Sequence, residues 1–204
     1  MRYPEGHKSD VRQGLVERAS RLVRKDGVAR ASVARVMASA KMTVGGFYKH
    51  FDSQDALVGE ALGEALKDAR ALLFDGIDDL SGAAFERALV DRYLSQHHFE
   101  NVERGCPVAS NVSELSRLPQ RARAPLLAEV RSLVAFVAER VRGAEGPCTP
   151  GAEAEPTPAE VRAWVLLSTT VGAMAVARAL GETRGPRVLA AMRHALTAEI
   201  GDAT

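Results

Sequence analysis

The apolar positions of this chain recur at helical spacing from its first third to its last. Val11, Leu15, Ala19, Leu22 and Val23 share one face of a predicted helix that runs through Lys25. Ser9 is its expected N-cap, with Asp10 in the first turn complementing the helix dipole. Gly27 is expected to end it in the left-handed conformation. Ser32 predicts the cap of a second, short helix whose inner face is Val33, Val36 and Met37. Ala40, Lys41 and Met42 form the turn that follows, and Thr43 caps a third helix that Phe47 and Phe51 anchor inward. Ser53 caps a longer fourth helix, with Ala56, Leu57, Ala61 and Leu62 on one side, reaching about residue 74. Helical patterns then continue over residues 83–99, 107–118, 124–142, 158–180 and 186–200. No strand alternation or internal repeat interrupts them. Residues 1–8 read as a disordered arm, and the Pro- and Gly-rich stretch 143–157 as a loop or disordered insert.

Composition agrees with an all-α fold. Apolar residues make up 46% of 204, enough for a core, and aromatics only 5%. A net charge of +1 says little, but its distribution says more. Residues 1–60 carry eleven Lys and Arg against seven Asp and Glu; the remainder carry sixteen against nineteen. A basic head on a mildly acidic body suits phosphate binding, although solvated surface charge gives the same split. The polar N-terminus lacks the apolar run of a secretory signal. No apolar stretch is expected to reach the ~20 residues of a membrane helix. Residues 163–177 come nearest, interrupted by Ser168, Thr169, Thr170 and Gly172. Two cysteines, Cys106 and Cys148, make no disulfide scaffold. A cytoplasmic protein with no membrane partner is expected.

The chemistry concentrates between residues 32 and 51. Two short helices joined by a tight turn form a helix-turn-helix, and the second brings Thr43, Gly45, Gly46, Tyr48, Lys49 and His50 together. Thr43 stands where a helix N-terminus meets a phosphate or a base edge. Glycine inside a helix costs up to ~1 kcal/mol, a cost that close approach to a duplex offsets. Tyr48 and His50 can donate to phosphates, and Lys49 supplies charge. The plainer alternatives are that Tyr48 is half-buried core and that Ser32 and Thr43 are caps alone. Arg35, on an exposed face, can reach a phosphate or simply be solvated.

These residues resemble the TetR family of transcriptional regulators. The resemblance covers about residues 9–60. It is carried by the helix capped at Ser32, by Thr43-Val44-Gly45-Gly46-Phe47-Tyr48-Lys49-His50-Phe51, and by Ser53-Gln54-Asp55-Ala56-Leu57. It implies a three-helix DNA-binding domain at residues 1–53. A helical effector-binding and dimerisation domain follows at 54–204. It also implies a homodimer on a palindromic operator, usually a repressor, released by a small molecule. The family's DNA contacts fall on Thr43, Val44, Gly45, Tyr48, Lys49 and His50, with Ser32 as a further phosphate contact. Lys41 stands at the turn position where the family usually has glycine; a positive φ there costs on the order of 1 kcal/mol.

A second feature is Arg104-Gly105-Cys106-Pro107. Pro107 suits a first helical turn, which places Cys106 at a helix N-terminus beside Arg104, with His97 and His98 upstream, a setting that favours a thiolate. The segment from Gly105 to Leu115 is similar to one in family members that sense electrophiles or oxidants, so Cys106 is a candidate redox sensor; the plainer reading is a small buried residue. Cys148 is expected to be exposed. His97 and His98 are adjacent and do not chelate one ion from one face, and no metal, cofactor or catalytic motif is present. No enzyme is expected.

Toward the C-terminus, Val161, Val165, Ser168, Gly172, Ala175 and Ala179 make one stripe, and Leu189, Met192, Leu196 and Ile200 another. Two such helix pairs related by a two-fold axis form a four-helix dimer interface. Candidate pocket residues for an apolar or electrophilic effector are Phe85, Tyr93, Phe99, Leu127, Phe136 and Trp164. A helical protein-interaction module without DNA binding is the competing class.

Overall fold

The computed structural model describes residues 7–143 and 155–202. Among the described residues the regular structure is all helical: nine α-helices and three short 3-10 turns. Cys148 and the centre of the 143–157 stretch, like most of the N-terminal arm, lie outside the described residues.

The first helix, α1, is His7–Asp26. It starts ahead of Ser9, which is therefore no cap; Asp10 still lies in the first turn, and Arg24 and Lys25 complement the dipole in the last. Gly27 ends it with φ 87°, as expected in sign, but ψ is 162°, an extended glycine conformation in place of the left-handed one. A Cβ there would lie 2.6 Å from the Glu114 carboxylate. The second helix, α2, is Val33–Ser39. Ser32 caps it, its hydroxyl accepting the Arg35 N–H at 3.4 Å. Lys41 turns the chain with φ 57°. The Met42 N–H donates to the Met37 carbonyl at 2.9 Å and the Lys41 N–H to that of Ala38 at 3.0 Å, the paired closure of a Schellman turn.

The third helical segment departs from expectation. Val44–Lys49 is a 3-10 helix, and the Thr43 hydroxyl makes no cap. The adjacent Gly45 and Gly46 favour no α-helix, and the tighter turn closes through Gly46 N–H to Thr43 O at 3.0 Å and His50 N–H to Phe47 O at 2.9 Å. Phe47 and Phe51 are buried as expected and stack with ring centroids 5.5 Å apart. They join Leu15, Val16, Ala19, Val36, Met37, Leu57 and Ala61 in one core. Ser53 caps α3, Gln54–Phe74, accepting the Ala56 N–H at 3.2 Å.

The single helix expected over residues 83–99 is two: α4, Gly82–Tyr93, and α5, Gln96–Glu100. Ser95 starts the second by accepting the His98 N–H at 3.1 Å, so the chain breaks where a new cap is available. The sixth helix, α6, Pro107–Leu115, ends before residue 118 and is kinked at Asn111, whose φ is −131°. The seventh, α7, Gln120–Arg142, begins before the expected residue 124 and carries Pro125 inside it. Thr157 and Glu160 form a reciprocal capping box on α8, Pro158–Ala179. The last helix, α9, Gly181–Asp202, starts ahead of Pro186.

The chain divides into two compact units. The first comprises residues up to 69 together with 102–129; the second, 70–101 and the described residues from 130 onward. In the first unit α3 and α7 approach closely: a Cβ on Gly59 would lie 3.1 Å from the Ala122 carbonyl, and one on Gly63 3.3 Å from Pro125. In the second, α8 packs on α9 and α4. Ala163, Leu166, Thr170, Ala173, Met174 and Ala177 form its buried side. Phe74, Phe85 and Phe136 make an aromatic cluster with centroids 5.1–6.2 Å apart. Contrary to the sequence expectation, α8 is long and apolar enough by length and composition to cross a membrane, with a window of mean hydropathy 1.2. One such helix is no membrane sign by itself, since helices that pack inside a protein pass the same test of length and composition.

Candidate nucleic-acid interface

The segment 43–51 has two opposed sides. Phe47 and Phe51 point into the core, and Thr43, Val44, Gly45, Tyr48 and Lys49 lie on the exposed side. Tyr48 is 71% exposed and Val44 49%. Tyr48 stands edge-on to Phe47 with centroids 5.2 Å apart, so the buried ring orients the exposed one. The half-buried reading of Tyr48 therefore does not hold. Ser32 and His50 are half-buried. Ser32 acts as a cap, whereas Thr43 does not and keeps its hydroxyl out of capping. A Cβ on Gly45 would meet nothing within 4 Å, so the protein's own packing gives no reason for glycine there.

Desolvation lowers the His50 pKa below its ordinary value, and the charges of Lys8, Arg12 and Lys49 push the same way. Its Nδ1 is buried and makes no hydrogen bond. Arg12 holds this end of the segment, an arrangement absent from the sequence reading. Its Nε donates to the His50 carbonyl at 3.2 Å, its guanidinium forms a bidentate pair with Glu60, and it lies 4.6 Å from the centre of the Phe51 ring. Nothing in local spacing marks a partner 48 residues away. Arg35 is engaged with Asp26 and the Arg30 carbonyl and does not stand free on the surface.

Three long-range contacts fix where α1 gives way to α2. Asn111 Oδ1 accepts the Val28 N–H at 3.2 Å, and Glu114 Oε2 accepts the Ala29 N–H at 2.8 Å. Lys25 pairs with Glu103. Just before this, Arg24 is buried, donating to the carbonyls of Ser20 and Ala65 and pairing with Asp68 at 3.1 Å. Burial lowers its pKa, and the Asp68 carboxylate opposes that shift.

Cys106 is the N-cap residue of α6, as the sequence predicts, and is 4% exposed. Its carbonyl accepts the Ser110 hydroxyl at 3.4 Å. The expected help from a neighbouring histidine charge is missing at His98. That ring hydrogen-bonds to the Tyr93 carbonyl at 2.7 Å, and burial lowers its pKa to about 4. Of the pocket candidates, Phe85, Tyr93 and Phe99 are buried and Phe136 half-buried in the second unit. Trp164 is 46% exposed, on the outer side of α8 with Val161, Val165, Val176 and Leu180. Leu127 is exposed and belongs to the first unit. Among the described residues no cluster of three or more metal-ligating side chains occurs.

Residues 15–61 match the model of bacterial regulatory proteins of the tetR family, and residues 84–196 match that of the tetracyclin repressor-like C-terminal domain. A curated relative, the HTH-type transcriptional repressor DhaR of Mycobacterium sp. strain GP1, is 28% identical over 120 residues. That match covers 59% of this chain and 60% of the repressor's length. The fold is shared with a TetR transcriptional regulator from Chloroflexus aurantiacus, at TM-score 0.75 and 22% identity over 97% of each chain. It is shared also with the reduced form of NemR from E. coli, at TM-score 0.68 and 19% identity over 92% of this chain and 95% of that one.

Proposed function

This chain belongs to the tetR family of bacterial regulatory proteins, a DNA-binding transcriptional regulator and not an enzyme, and from that premise we propose that it is a cytoplasmic homodimeric repressor released from a palindromic operator by a small-molecule effector. In this reading residues 1–53 carry the DNA-reading role and 54–204 the dimerising and effector-binding roles, although the compact units themselves are not contiguous in the chain. Ser32, Thr43, Val44, Gly45, Tyr48, Lys49 and His50 are the DNA-facing set. What chiefly supports this is the two-sided character of residues 43–51: aromatic rings locked in the core, and a polar, cationic, low-relief surface outside. Such a surface admits a phosphate backbone and the floor of the major groove. The repressing sign rests on the likeness to a protein named as a repressor.

Dimerisation through α8 and α9 is supported by the outer side of α8, where Val161, Val165, Val176 and Leu180 are exposed around Ser168 and Gly172. Small residues there let a second helix pair approach closely. An effector that alters the spacing of the two heads lowers affinity, because both half-sites can no longer be engaged at once.

The test is binding of the purified chain to duplex DNA from its own upstream region, beside Tyr48→Ala and Lys49→Ala. Both side chains are exposed, so both variants keep the fold. Loss of about tenfold or more in affinity for each supports the reading. Undiminished binding in both removes residues 43–50 as the DNA surface and favours a protein-interaction module.

A further inference from the structure

A duplex is read by side chains that match base edges, and the inventory at this surface is unusual. Between Thr43 and His50 there is no Arg, Asn, Gln, Asp or Glu. The bidentate pairings of Arg with guanine and of Asn or Gln with adenine are therefore unavailable to this segment. Nearby arginines are committed elsewhere. Arg12 holds Glu60 and the His50 carbonyl, Arg18 donates to the Ser39 carbonyl at 2.9 Å, and Arg35 holds Asp26. The exposed side chains left are Thr43, Val44, Tyr48 and Lys49.

Val44 is the first residue of the 3-10 helix, and the N-terminal residues of a recognition helix are those that meet base edges. Its side chain has no donor or acceptor, so a phosphate offers it nothing. It is nonetheless half-exposed, while the apolar Phe47 three residues on is fully buried. The next residue, Gly45, lacks a side chain although a Cβ would meet nothing in the protein. A branched apolar tip beside a gap lets the backbone sink toward the groove floor and brings the valine methyls onto it. The one apolar group that a base pair presents in the major groove is the thymine C5-methyl.

We propose that Val44 is a specificity-determining residue that reads the C5-methyl of a thymine in each half-site, the juxtaposition of its exposed side chain with the open Gly45 position forming the contact. The inference rests on the DNA-facing assignment of residues 43–50 and adds to it a base and an atom.

The experiment starts from duplexes enriched out of a random-sequence pool by the full chain, which give the half-site. Each thymine is then replaced in turn by deoxyuridine, which removes the methyl and leaves the Watson–Crick edge intact. At one position per half-site the replacement is expected to weaken wild-type binding about fourfold, the burial of one methyl-sized group. Val44→Ala is expected to bind the thymine and deoxyuridine duplexes equally, at the weaker level. Val44 is exposed, and an unchanged melting temperature for Val44→Ala separates readout from folding. A half-site in which no thymine methyl matters overturns the proposal. So does a Val44→Ala chain that keeps the wild-type sensitivity to deoxyuridine. Failure of the DNA-facing assignment itself looks different, as duplex binding that survives Lys49→Ala.

Discussion

The Glu114 carboxylate accepts the backbone N–H of Ala29 at 2.8 Å across 85 residues of sequence. With Asn111 on the Val28 N–H, it ties α6 to the junction through which α1 leads into the helix-turn-helix. Two donors that would otherwise lack helical partners are satisfied at once. Glu114→Ala and Asn111→Ala are each expected to destabilise the first unit by about 1–3 kcal/mol. Amide exchange is the direct check: the Val28 and Ala29 amides should lose protection in these variants while those inside α1 keep theirs. Unchanged protection at both amides would refute the clamp.

Gly45→Ala should move stability and DNA binding in opposite directions. A Cβ fits the free protein, and alanine restricts the unfolded chain more than glycine, so the melting temperature should hold or rise, by an equivalent of up to ~1 kcal/mol. DNA affinity should fall about tenfold, because the added methyl stands between backbone and duplex. Fluorescence anisotropy with an upstream duplex measures one effect and thermal melting the other. A variant that binds DNA as well as wild type would show that the backbone does not approach so closely.

Acid should weaken the fold through His98. The folded ring has a pKa of about 4 because burial disfavours its charge; its ordinary value is 6.5. Between those pH values the unfolded chain holds a proton that the folded chain does not, so stability falls as pH drops from about 6.5 toward 4. The full loss is on the order of 3 kcal/mol. Urea melts at pH 7 and pH 5 should show part of it, and His98→Asn should flatten the slope. An equal slope in the variant would assign the acid sensitivity to other groups.

The homodimer reading makes Val165 a sensitive position. It is half-exposed in the single chain, so Val165→Glu should fold. In a dimer through α8 it would bury an unpaired carboxylate, raising the dimer dissociation constant by about a hundredfold or more. Sedimentation at micromolar concentration distinguishes the two cases, and a Val165→Glu chain that still dimerises tightly would move the interface elsewhere.

What the sequence shows clearly is local. The Ser32 cap, the positive φ of Lys41, the inward Phe47 and Phe51, and Cys106 at a helix start each follow from a few neighbouring residues. The 3-10 form of Val44–Lys49 is subtler, because Gly45 and Gly46 weaken the α-helix without announcing the alternative. The break at Leu94 and Ser95 was hidden inside continuous apolar periodicity. The pairings of Arg12 with Glu60, Asn111 with Val28 and Glu114 with Ala29 were out of reach, since tertiary approach alone brings such residues together. Leu127 and Trp164 are large and apolar, yet apolar bulk does not say on which side of a helix a residue lies.

The first compact unit is assembled from two separate stretches of chain, up to residue 69 and from 102 to 129. A fragment cut after the helix-turn-helix would therefore lose the carbonyl of Ala122 against Gly59, the acceptors for Val28 and Ala29, and the carboxylate facing Lys25. For anyone wishing to graft this reading head onto another protein, the transferable module is not its first sixty residues. It is a spliced design in which residues 102–129 are carried along and a new linker replaces what lay between.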